Sequence, residues 1–120
     1  MNILIEKEKS TPEVSTGSKE HILNVVGIIV PENPEFFFEK LNNLINLTYN
    51  THKKIVLDFN LEYFNTGAAR FLYKLFINLK DKDDVEICWR YEEDDEDIYD
   101  SGKEFESLTS LKFNFEKINL

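Results

Sequence analysis

Between Val85 and Glu92 the chain alternates apolar and polar residues without a break. Val85, Ile87, Trp89 and Tyr91 fall on one side of an extended strand, and Glu86, Cys88, Arg90 and Glu92 fall on the other. Successive side chains of a strand point to opposite faces. A segment patterned this cleanly requires a sheet with one face in a core and the other largely in water. Helices therefore cover one side of the sheet and leave the other at least partly open.

The remaining segments supply that sheet and its cover. Lys54 to Phe59 is an apolar strand suited to the middle of the sheet, with Ile55, Leu57 and Phe59 on one face and Val56 and Asp58 on the other. Ile22–Val30 is rich in β-branched residues and predicts another strand, with Gly27 marking a bulge. A short strand around Thr11–Val14, then the turn residues Ser15-Thr16-Gly17-Ser18, makes a hairpin with it. Leu111 to Phe115 alternates again as the final strand, and residues 1–9 form either a loose tail or an edge strand.

Three helices follow from spacing. Pro31-Glu32-Asn33-Pro34 ends a strand and opens the first, with Asn33 as its cap and Pro34 as its first residue. Phe37, Phe38, Leu41, Leu44, Ile45 and Thr48 then recur on one face. Ala68, Phe71, Leu72, Leu75, Phe76 and Leu79 form the inward stripe of the second. The third runs from Glu96 to Ser110 behind the acidic run Glu93–Asp97, which suits a helix N-terminus; Gly102 weakens its middle. The expected fold class is α/β, in the order β-β-α-β-α-β-α-β. Its mixed sheet carries the helices mainly on one face, within one domain spanning residues 1–120.

Charge and composition exclude several functions. The net charge is −9, from 23 acidic and 14 basic residues, and the longest basic run is Lys53-Lys54. Nucleic acid and anionic membranes repel such a chain. Cys88 is the single cysteine, which forbids an internal disulfide and fits a reducing compartment. Met1 to Ser10 lacks the apolar core of a signal peptide, so a cytoplasmic protein is expected. His21 and His52, the two histidines, lie near no nucleophile motif. There is no phosphate loop, dinucleotide fingerprint or zinc spacing, and the run from Glu92 to Asp97 lacks the glycine of a calcium loop. The expectation is a non-enzyme with no cofactor and no metal.

One stretch stands apart, from Leu61 through Glu62, Tyr63, Phe64, Asn65, Thr66, Gly67, Ala68 and Ala69 to Arg70. A strand enters it and an amphipathic helix leaves it. Thr66 is expected at the N-cap, its hydroxyl beside unpaired backbone N–H groups. Capping alone explains it. Two features allow a second role as a modification site: Gly67 leaves the adjacent backbone open to another protein, and a phosphate at a helix N-terminus is electrostatically favoured, with Arg70 one turn away. Asn65, Gly67, Ala68, Arg70, Glu62 and Tyr63 are the candidate partner-binding residues around it.

These residues, in their order and spacing, resemble the SiaC-type regulatory phosphoproteins, bacterial proteins with a fold like the STAS domain of anti-sigma-factor antagonists. The resemblance runs from Ser10-Thr11-Pro12 onward. It includes Pro31-Glu32-Asn33, Leu57-Asp58-Phe59, Leu61 through Thr66, Trp89-Arg90-Tyr91 and the acidic entry to the last helix. It implies partner switching. A dedicated kinase would phosphorylate Thr66, a PP2C-type phosphatase would reverse this, and the unphosphorylated form would bind and stimulate a diguanylate cyclase, favouring aggregation or biofilm growth. Family members often carry hydroxyl residues directly after the threonine. Here Gly67 and Ala68 follow, which leaves Thr66 as the sole acceptor at the junction. The alternative is a STAS-like anti-sigma-factor antagonist or small-ligand-binding domain in which Thr66 is only a helix cap.

Overall fold

Hydrogen bonding in strict chain order defines the sheet. The computed structural model describes residues 2–118. Its strands are β1 (Ile3–Ile5), β2 (Glu13–Thr16), β3 (Ile22–Ile29), β4 (Ile55–Phe64), β5 (Val85–Glu92) and β6 (Phe113–Ile118), paired in the order β1-β2-β3-β4-β5-β6. The β1–β2 and β2–β3 pairs are antiparallel, and those from β3 to β6 are parallel. Each parallel step needs a crossover, supplied by α1 (Glu35–His52), α2 (Thr66–Leu79) and α3 (Glu96–Thr109). Crossovers of one hand that always advance in the same direction stack every helix on one side of the sheet.

Burial follows that geometry. Ile55, Leu57, Phe59 and Leu61 of β4 are buried with Leu23, Val25 and Ile29 of β3 beneath Phe38 and Leu41 of α1 and Leu72, Leu75 and Phe76 of α2. Trp89 anchors the other half of the core. Its ring lies 5.7 Å from that of Phe59, 5.8 Å from Phe105 and 6.0 Å from Phe113, and its indole N–H donates to the Ile98 carbonyl at 2.8 Å. That hydrogen bond satisfies the one polar atom of a ring 1% exposed. Gly102 of α3 lies against the same ring: a methyl group added there would stand 2.5 Å from Trp89 Cδ1 and 2.8 Å from Phe115 Cε1. Gly102 is therefore a packing contact between α3 and the sheet, and not the helix weak point expected from its propensity.

Several boundaries move. Residues 3–5 form an edge strand, which adds β1 to the expected order. The first hairpin strand shifts from Thr11–Val14 to Glu13–Thr16, so Ser15 and Thr16 belong to the ladder and the turn begins at Gly17. The central strand continues past Phe59 to Phe64, because β3 pairs with it over that whole length. The last strand begins at Phe113, since Ser110 closes α3 in the left-handed conformation with φ of 61° and Leu111 is spent leaving that turn. Pro34 is the N-cap position of α1, which starts at Glu35. Asn33 still contributes its side chain, accepting from the Glu35 N–H at 3.2 Å.

The open face shows what the alternation of β5 demanded. Arg90 donates to both carboxylate oxygens of Asp58, at 2.8 and 2.9 Å, and meets Glu116 at 3.0 Å. The hydrogen bond to Asp58 raises the guanidinium pKa. Burial, reinforced by Asp58, Glu86 and Glu116, pushes the Cys88 thiol up to about 11, so it stays protonated and inert at neutral pH.

Candidate functional site

β4 ends where α2 begins, and a bulge shapes the approach. Gly27 of β3 pairs with Leu61, but Ile28 pairs with Tyr63, so Glu62 has no partner across the ladder. Gly27 accommodates this with φ of 132°, a conformation that favours glycine. Glu62 and Tyr63 are both exposed on the last turn of the ladder before the helix.

Asn65, and not Thr66, is the N-cap of α2. Its backbone is extended (φ −85°, ψ 175°), and its Oδ1 accepts from the Ala68 N–H at 2.8 Å. The adjacent residues are both competent caps, and the side chain three positions before an available N–H takes the role. Asn65 also binds backward: its N–H donates to Ile29 O at 3.1 Å and its Nδ2 to Pro31 O at 3.4 Å. One side chain thus ties the start of α2 to the segment between β3 and α1.

This division of labour releases Thr66. It is the first helical residue, it is exposed, and among the described residues none hydrogen-bonds its hydroxyl. Arg70 stands one turn along the same face, exposed and engaged by no ion pair among the described residues. The first-turn N–H groups and the helix dipole give the surroundings of Thr66 a positive bias. Gly67 is half-buried, and a methyl group there would make only ordinary contacts, 3.6 Å from Asn65 Oδ1 and 3.7 Å from Pro34 Cγ. Ala68 is fully buried beneath the helix, so its side chain is withdrawn from any partner. Of the candidate residues at this junction, Glu62, Tyr63, Thr66 and Arg70 are exposed.

Sequence reasoning missed Pro31 and Pro34 as parts of this site. They lie 34 and 33 residues before Asn65 and Gly67, and only the parallel pairing of Ile29 with Phe64 brings them there. No local spacing signals that contact.

Asn65→Ala is expected to lower the free energy of unfolding by about 1 kcal/mol, the usual cost of a lost cap. Asn65→Asp keeps the acceptor but loses the Nδ2 donor to Pro31 O, and should lose less than Asn65→Ala. Denaturant midpoints of the two variants check this, and equal losses would remove capping as the explanation.

Comparison with known proteins bears on this geometry. The sequence model for SiaC family regulatory phosphoproteins matches residues 5–118. A chain of the crystal structure of the diguanylate cyclase SiaD in complex with its activator SiaC, from Pseudomonas aeruginosa, superposes with a TM-score of 0.83 at 21% identity. That match covers 95% of this chain and 98% of that one. Apo-SiaC from the same organism superposes with a TM-score of 0.80 at 22% identity, covering 97% of this chain and 99% of that one. At these identities the solved structures establish the fold. Comparison with curated proteins gives no match.

Proposed function

The chain belongs to the SiaC family of regulatory phosphoproteins, and from that premise we propose that Thr66 is its phosphoacceptor and that phosphorylation there switches partner binding. The observation that carries this reading is the exposed Thr66 hydroxyl, left uncommitted because Asn65 holds the cap. A kinase can reach it without unpicking a hydrogen bond. The phosphate would add about −1.5 to −2 charges, within reach of unpaired first-turn N–H groups and of Arg70.

In the P. aeruginosa complex, SiaC is the activator of the diguanylate cyclase SiaD. By that likeness the unphosphorylated form of this protein binds and stimulates a diguanylate cyclase, and raises cyclic di-GMP. A dedicated kinase adds the phosphate and a PP2C-type phosphatase removes it. The protein itself contributes binding and performs no chemistry. Phosphate at Thr66 would stand at the exposed helix terminus one turn before Arg70, so a partner seated there would have to accommodate a dianion in a contact fitted to a neutral hydroxyl.

Thr66→Ala should abolish phosphorylation by the cognate kinase, read by intact mass, and Thr66→Glu should weaken the cyclase complex at least about tenfold, roughly 1.4 kcal/mol. Equal cyclase affinity for the unmodified, phosphorylated and Thr66→Glu forms would end this proposal.

A further inference from the structure

We infer that His21 and His52 form an open binding site for one transition-metal ion of the zinc and copper class. They are the two histidines of the chain, 31 residues apart in sequence. The fold brings them together at the end of β4 away from Thr66. His21 lies immediately before β3, where its carbonyl accepts from the Val56 N–H at the start of β4, and His52 is the last residue of α1. Their ring centroids stand 6.4 Å apart, with the ring planes tilted by 55°. Ligands drawn from separate elements in this way leave no metal motif in the sequence.

Bond lengths decide whether one ion fits between the rings. A metal about 2.0–2.1 Å from a ring nitrogen lies about 3.2 Å from the ring centre, so two rings sharing it stand about 5.2 Å apart at a tetrahedral angle and about 6.4 Å apart in line. Side-chain rotation that closes about 1 Å therefore reaches tetrahedral geometry. Both side chains are partly exposed, and among the described residues neither ring takes part in a hydrogen bond or ion pair, so the rotation breaks nothing. Burial and the charges of Lys54, Lys19 and His52, opposed by Glu86, lower the His21 pKa. Its ring is thereby kept neutral, the form that ligates, at neutral pH. The same lysines repel a dication, and ligand chemistry then sets the class. Mg²⁺ and Ca²⁺ prefer oxygen ligands, whereas imidazole favours Zn²⁺, Ni²⁺ and Cu²⁺. Glu86 is hydrogen-bonded to Asn114, and among the described residues no group of three His, Cys, Asp or Glu side chains is placed to hold an ion. The site therefore offers two protein ligands and leaves the other positions to water. A bound ion would tie the C-terminus of α1 to the entry of β3.

The test titrates the full, isotope-labelled chain with Cu²⁺, Zn²⁺ and Mg²⁺ salts. Paramagnetic Cu²⁺ should broaden the amide signals around His21 and His52 first, at one equivalent. Zn²⁺ should raise the melting temperature, and Mg²⁺ should leave it unchanged. His21→Asn and His52→Asn should each weaken Zn²⁺ binding at least about tenfold, since each removes one of two ligands. Lys54→Gln should tighten it, because a repelling charge is lost and both ligands remain. Melting curves without metal confirm that the variants fold, and acylation of both imidazoles in the unaltered protein should abolish binding without any substitution. Unchanged affinity in both histidine variants, broadening centred on Glu92–Asp97 or on Cys88, or equal effects of Mg²⁺ and Zn²⁺ would overturn the site. The inference is independent of Thr66, so either can fail and leave the other standing.

Discussion

Trp89→Ala is expected to lower the free energy of unfolding by about 3–5 kcal/mol, the range for removing a large buried aromatic. The indole ring contacts strand and helix alike: Phe59 and Phe113 from the sheet, Phe76 from α2 and Phe105 from α3. Its loss leaves a cavity that these rings cannot all close at once, and the Ile98 carbonyl loses its indole donor. Since total stability is about 5–15 kcal/mol for proteins of this kind, the substitution removes a large share of it. Trp89→Phe separates the two contributions, because it restores most of the ring and omits the hydrogen bond. Chemical denaturation of both variants measures the difference. A loss below about 1 kcal/mol for Trp89→Ala would mean that the cluster is not the packing centre described here.

Gly102→Ala should destabilise by about 1–3 kcal/mol, although alanine is the better helix former. A methyl group would stand 2.5 Å from Trp89 Cδ1 and 2.6 Å from Nε1, and the indole has nowhere to move because rings enclose it. Helix propensity favours the substitution by about 0.8–1.0 kcal/mol, so the sign of the outcome decides which effect wins. Combining Gly102→Ala with Trp89→Phe relieves the collision and should recover part of the loss. Additivity of the two losses would count against a direct clash. The neighbouring case of Gly67 sharpens the contrast, since a methyl group there meets only ordinary contacts.

What could be read from the chain alone was whatever depends on period. The alternation of β5 specified a one-sided sheet, and the stripe from Ala68 to Leu79 specified the inner face of α2; the structure has both. Features decided by distant partners were not legible. Gly102 reads as a helix breaker until Trp89, thirteen residues earlier, is placed against it. Asn60 and Glu62 interrupt the apolar run, so the pattern alone ends β4 at Phe59, whereas pairing with β3 carries it to Phe64. At the site, Asn65 and Thr66 are both good caps, and only backbone dihedrals distinguish them. That difference of one position is the consequential one, because it decides whether the Thr66 hydroxyl is occupied.

The Asn65 cap bears on how such a protein could carry information. Were Thr66 the cap, every round of modification would replace the hydroxyl that closes the helix terminus with a bulkier, charged acceptor and shift the balance between folded and unfolded molecules. Proteolysis would then read the signal as damage, and abundance would drift with use. With the cap on Asn65, the proposed mark on Thr66 would fall on a side chain that closes no hydrogen bond of the helix terminus. The two forms should have the same lifetime in the cell and differ only in what they bind, so the message can be rewritten without replacing the messenger.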